Sequence, residues 1–152
     1  MQRFRLRRSY IAVTAGICSV ALAIAVGSAW AGSSSASADS EIEVTMGKPK
    51  EYSLKPSASR AKAGEVEFIV RNKGKLTHEF IVLRTKIPAA KLKPRAEEPA
   101  KVEEPGFQFE LEDVEARGRV TIALPLKKGH YVLLCNIEGH YAGGMFADLT
   151  LR

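Results

Sequence analysis

Cysteine is scarce in this 152-residue chain: there are two, Cys18 and Cys135. Cys18 lies in an N-terminal apolar run with the marks of a leader, so a processed chain keeps Cys135 alone. One cysteine closes no internal disulfide, which excludes a disulfide-stapled scaffold. Long apolar runs are equally rare. There is one, Ile11 to about Val26, so a polytopic membrane protein is excluded. Acids are missing altogether before Asp39. Four of the 23 basic residues (Arg3, Arg5, Arg7, Arg8) fall in that acid-free stretch, leaving 19 against 17 acids from Asp39 on. That balance lacks the basic stripe a nucleic-acid binder needs. Internal repeats and a sustained helical period are absent too. What is present, 45% hydrophobic and 26% charged residues, is ordinary for one soluble domain and excludes disorder of the whole chain.

Residues 1–38 read as an export signal: a basic segment ending at Arg8, then the apolar run, then small residues. Ala36-Ser37-Ala38 is an A-x-A cleavage site, and Ala29-Trp30-Ala31 is a second candidate. Arg7-Arg8-Ser9-Tyr10-Ile11 also resembles a twin-arginine export pattern. The alternative is an uncleaved anchor, because Ile11 to Ala31 is long enough to cross a bilayer, which takes about 20 residues. Either way the domain, residues 39–152, is expected on the periplasmic or extracellular face of the cytoplasmic membrane. Ile17 stands before Cys18 where a lipoprotein signal has a small residue, so Cys18 is not read as a lipid attachment site.

Short runs rich in Val, Ile, Phe and Thr, separated by turns, predict strands over 41–44, 66–70, 79–83, 119–124, 131–134 and 146–151. These argue an all-β, Greek-key, antiparallel β-sandwich. Between Ile87 and Pro105 four of the seven prolines occur (Pro88, Pro94, Pro99, Pro105), which predicts a long loop over about 86–106 with a short helix near Ala89 to Leu92. Acids then concentrate at Glu97, Glu98, Glu103, Glu104, Glu110, Glu112, Asp113 and Glu115. The plain reading of that run is a solvated loop; the functional one is an acidic face steering a basic redox partner.

The last third holds Cys135-Asn136-Ile137-Glu138-Gly139-His140-Tyr141-Ala142-Gly143-Gly144-Met145, a Cys-x4-His-x4-Met pattern between two strands. His78 opens a strand well upstream. Taken singly, Cys135 reads as a small buried hydrophobe, His140 as a turn residue and Met145 as core. Together, two imidazoles, a thiolate and a weak thioether describe a type 1 (blue) copper site. The thiolate is soft and couples strongly to copper, imidazoles serve both oxidation states, and the thioether tunes the potential at long range. Strand parity agrees: His78, Phe80 and Val82 share one face, and Tyr131, Leu133 and Cys135 share another. Tyr131 is placed for the corner hydrogen bond of Greek-key sandwiches.

These residues resemble the cupredoxins, the family of plastocyanin, azurin, rusticyanin and auracyanin, and the spacing of four and four is nearest to the last two. The resemblance covers the whole mature domain in pattern, most specifically Gly64 to Leu83 and Lys127 to Leu151. It implies one copper ion bound by His78, Cys135, His140 and Met145, and a His140 ring edge exposed as the electron port. Tyr141 and Ala142 would surround that edge, while Gly143 and Gly144 turn the chain back to Met145. Two departures stand out. Glu79 occupies a position where many members have Asn, although its backbone N–H can still donate to the Cys135 sulfur. Glu138 precedes Gly139-His140 where Pro is common, and a carboxylate near copper lowers the potential. The implied function is a monomeric one-electron carrier between protein redox partners, not an enzyme. Leu134 and Asn136 flank Cys135, where an enzymatic relative places a histidine to couple a second copper, and His130 reads as a surface strand residue. Two other readings stay open. One is a copper-delivery protein holding Cu(I), which the small supply of methionine (Met46 and Met145 after the leader) disfavours. The other is a thiol enzyme pairing Cys135 with His140. Zinc would accept the same donors.

Overall fold

Alternation of apolar and polar residues builds most of the strands, because period-two patterning puts one face in the core and the other in water. The computed structural model describes residues 38–152, so the leader expected over 1–38, but for Ala38, lies outside the described residues. Nine strands follow in chain order: β1 Ser40–Met46, β2 Leu54–Pro56, β3 Arg60–Ala61, β4 Gly64–Asn72, β5 His78–Arg84, β6 Phe107–Val114, β7 Arg119–Leu126, β8 Gly129–Leu134 and β9 Phe146–Leu151. They form a four-stranded sheet in the order β2-β1-β4-β7 and a five-stranded sheet in the order β3-β9-β8-β5-β6. The chain crosses between the sheets at β2 to β3, β3 to β4, β4 to β5, β6 to β7 and β7 to β8, giving the expected Greek-key sandwich. No α-helix occurs among the described residues; the short helix expected near Ala89 is one 3-10 turn, Ala89–Lys91. No helix among these residues is long and apolar enough to cross a membrane.

Two expectations need correction. The sheets are mixed, since β1 runs parallel to β4 and β3 parallel to β9. Hairpin signals reveal neighbours in sequence and are blind to a strand that returns beside a distant one. The acidic run is also not all loop. Phe107, Phe109 and Leu111 alternate with polar residues, and this segment is strand β6, paired antiparallel with β5. Glu110, Glu112 and Asp113 therefore sit on a sheet edge; Asp113 carries φ 54° close to an irregularity in that pairing.

The main core fills the space between the sheets with Ile42, Val44 and Met46 of β1, Val66, Phe68 and Val70 of β4, Phe80 and Val82 of β5, and Tyr131 and Leu133 of β8. Phe68 and Phe80 meet at 5.4 Å between ring centroids. Each such ring contributes about 1.5–3 kcal/mol through burial. Tyr131 donates from its hydroxyl to the Lys127 carbonyl at 2.7 Å, the corner bond its position predicts.

β5 and β8 are apolar on both faces, and the long loop explains why. Ile81, Leu83, Val132 and Leu134 point away from the main core into a second cluster with Ala89, Leu92 and Val102 of the loop. The loop is folded on itself: Pro94 bridges Val102, Arg95 donates to Lys101, and Glu103 donates to Lys93. Asn136 then clips it to the end of β8. Its Oδ1 accepts the Val102 N–H at 2.8 Å, and its Nδ2 donates to the Val102 carbonyl at 2.9 Å and to Glu104.

Candidate metal centre

β8 delivers Cys135 and β9 starts just after Met145, so the ten-residue step between them is a loop closed at its base. The Cys135 N–H donates to the Met145 carbonyl, and the Met145 N–H donates to the His140 carbonyl. Inside it His140 N–H reaches back to Ile137 and Gly144 N–H to Tyr141, with Gly144 at φ 99°, a conformation glycine adopts freely. His78 arrives from the neighbouring strand β5. Its approach is set by Asn72, buried at the end of β4, which donates to the Leu76 and Val114 carbonyls and accepts from Gly74.

Three donor atoms converge. His78 Nδ1 lies 3.2 Å from His140 Nδ1, which lies 3.3 Å from Cys135 Sγ, and the cluster of three spans no more than 4.8 Å. That span suits one ion, because metal–nitrogen and metal–sulfur bonds are about 2.0–2.3 Å long. All three residues are buried: His78 and Cys135 are 0% and His140 is 7% exposed. Burial drives both imidazoles below their ordinary range, with the neighbouring His78 adding to the effect at His140, so both present neutral nitrogen lone pairs. Burial also pushes the Cys135 thiol up to about 11, partly offset by backbone N–H donors. The Glu79 N–H gives one of these at 3.2 Å, as its position next to His78 predicts. A buried thiol with two neutral imidazoles at bonding distance is a donor set for a soft or borderline cation.

The structure thus brings together His78, Cys135 and His140. Met145 is fully buried in the main core beside them, tied by its backbone to both Cys135 and His140. Other expected neighbours go elsewhere. Tyr141 does not flank His140: it packs on Phe146 in the second cluster and donates its hydroxyl to the Ala89 carbonyl. Glu138 is exposed in the loop. His130 is half-buried rather than fully on the surface, with Nδ1 at 2.7 Å from the Thr85 carbonyl and Nε2 at 2.8 Å from Asp148.

Two residues that carry no signal in the sequence border the cluster instead. Both come from the turn between β1 and β2. Glu51 Oε1 lies 3.2 Å from His78 Nε2, and the Tyr52 ring lies against His140 at 4.8 Å between centroids. The Tyr52 ring that lies against His140 is 42% exposed. Glu79 is different again: burial and the Glu110 charge raise its carboxyl above the usual range.

No known family model matches the sequence, and no curated protein resembles it significantly. Solved structures do share the fold. Auracyanin from the photosynthetic bacterium Roseiflexus castenholzii superposes with a TM-score of 0.56 at 18% identity, over 76% of this chain and 98% of that one. Rusticyanin from Thiobacillus ferrooxidans gives 0.55 at 18%, over 76% and 79%. Auracyanin B gives 0.54 at 15%, over 74% and 88%. The chain has the cupredoxin fold, with His78, Cys135 and His140 positioned at one end of the sandwich to hold a metal ion.

Proposed function

We propose that this protein is an exported type 1 copper protein that carries single electrons between protein redox partners, as a monomer and without catalysing a reaction of its own. The observation that carries the reading is the convergence of two neutral imidazole nitrogens and one thiol in a water-poor pocket on rigid strands. The fold adds support, since rusticyanin is itself a copper protein. Copper bound here would supply a one-electron couple between Cu(II) and Cu(I). His78, Cys135 and His140 would be its equatorial ligands, and the Met145 thioether its weak axial one. Cys135 must lose its proton on loading, and the Glu79 N–H then stabilises the resulting thiolate. The ligands sit on strand ends and a hydrogen-bonded loop, which resists rearrangement when the charge changes. Donor and acceptor approach beside the exposed Tyr52 ring that lies against His140. Residues 1–38 direct the chain to the periplasmic or extracellular side, as a cleaved leader or an anchor.

The test is the visible absorption and EPR spectrum of residues 39–152 after addition of Cu(II), with Cys135→Ser as control. An intense blue or green colour with narrow copper hyperfine splitting, lost in the control, is the expected result. A colourless protein that retains Cu(I) would replace electron transfer with copper delivery.

A further inference from the structure

The Glu51 carboxylate reaches a cluster imidazole, that of His78, and its place is built rather than incidental. Its Oε1 accepts the Lys75 N–H at 2.8 Å and the Leu76 N–H at 2.9 Å, while Oε2 accepts Lys75 N–H at 3.1 Å. The two turns that carry these groups touch through their backbones. A Cβ on Gly47, whose φ is 74°, would lie 2.4 Å from Gly74 Cα, and one on Gly74 would lie 2.2 Å from Glu51 Oε1. Two glycines thus let the Glu51 turn close on the segment that leads into His78. A Glu carboxyl is ionised at neutral pH and then only accepts.

A neutral imidazole has one N–H. With an ionised acceptor 3.2 Å from Nε2, that hydrogen belongs on Nε2 and the lone pair on Nδ1, the atom that faces His140. We infer that Glu51 is a positioning residue of the metal centre: it fixes the His78 tautomer and ring angle and places a negative charge behind that ligand. The effect on the potential rests on the copper reading above; the effect on the tautomer does not. Outer partners of this kind orient ligating histidines and raise their basicity. The sign on the couple follows from charge. Cu(II), one thiolate and the Glu51 carboxylate sum to zero, whereas the Cu(I) state carries one net negative charge. The carboxylate therefore favours Cu(II) and lowers the reduction potential.

Glu51→Gln removes the charge at nearly constant shape, and Glu51→Ala removes the acceptor as well. The first readout needs no metal: long-range proton–nitrogen NMR at neutral pH on the metal-free protein. His78 is expected as the Nε2–H tautomer in the wild type and as a mixture in Glu51→Ala. The second is the reduction potential of the copper-loaded proteins, expected to rise in both variants; a tenfold larger loss of affinity for Cu(II) than for Cu(I) appears as about 59 mV. Cu(II) affinity of Glu51→Ala is expected to fall about 10- to 100-fold. A Glu51 that merely ties the two turns together would move neither tautomer nor potential, and that result overturns the inference. A wild type that binds no copper yet shows the tautomer change would sink the copper reading and leave Glu51 in its positioning role. If Glu51→Ala fails to fold, an unchanged potential in Glu51→Gln still overturns the effect on the couple.

Discussion

Asn136 sits one residue beyond Cys135, and its replacement by alanine tests whether the long loop is a structural part of the site end of the sandwich. Asn136 is 2% exposed and serves both backbone groups of Val102, itself 4% exposed. Truncation leaves the buried Val102 N–H without a partner, at about 1–3 kcal/mol, whereas the Val102 carbonyl keeps the Arg95 Nε–H at 3.0 Å. With the Asn136 bonds to the Val102 carbonyl and to Glu104 also lost, a net loss of about 2 kcal/mol is expected. That is a large share of the roughly 5–15 kcal/mol by which such domains are stable. It corresponds to a fall of about 8 °C in the melting temperature for a domain of this size. Urea denaturation gives the loss directly, and amide hydrogen exchange locates it. Val102 N–H should lose its protection by local opening, whereas Leu133 N–H in β8 should lose only what the global stability loses. The reasoning fails if the loss is below about 0.5 kcal/mol with Val102 still protected, because surface-like changes are of that size. The apolar cluster of Ala89, Leu92 and Val102 would then hold the loop unaided.

Three further outcomes follow from the same geometry. Burial raises the Cys135 thiol from 9.0 to about 11 in the metal-free protein, so the fold favours the protonated form. Its contribution is complete below about pH 9 and is lost as pH rises through about 11, a fall of about 2–3 kcal/mol. Urea curves of metal-free wild type and Cys135→Ala between pH 8 and 11 should diverge by that trend, and parallel curves would refute it. Tyr131→Phe removes the hydroxyl donation to Lys127 and should cost about 1 kcal/mol in urea denaturation while leaving the copper spectrum unchanged; an altered spectrum would show that the corner bond shapes the site. A Cβ on Gly143 would lie 2.8 Å from Tyr52 Cβ, so Gly143→Val should push Tyr52 off His140 and cost about 1–3 kcal/mol. Proton NMR would show the ring-current shift of His140 lost; a variant of full stability with that shift intact would contradict the packing.

Chemistry carried by residue type and short spacing was legible without a structure. Cys135, His140 and Met145 lie within one loop, and His78 joins them because strand parity puts it on the core face, which only residue alternation is needed to read. The all-β architecture was legible for the same reason, as was the Tyr131 corner. The runs Phe80 to Leu83 and Tyr131 to Leu134 are recognisable as strands too, but nothing local says that Ala89, Leu92 and Val102 cover their second apolar face. Local pattern is silent on what lies across the fold. The parallel pairing of β1 with β4, the strand character of the acidic segment 107–114, and the loop cluster on the outer face each depend on partners distant in the chain. Tyr141 turned away from His140 because Phe146 and the Ala89 carbonyl offered it a buried ring contact and a hydrogen bond. Glu51 and Tyr52 are the sharpest case. Glu51 stands 27 residues from His78 in an ordinary polar turn, and the close approach of Gly47 to Gly74, with the Lys75 and Leu76 N–H groups, brings it there. Periodicity and donor chemistry suffice for the sandwich and for the kind of donor atoms it gathers. Tertiary structure alone decided which carboxylate and which ring stand behind the two imidazoles, since that is a matter of how separate turns close on one another in space.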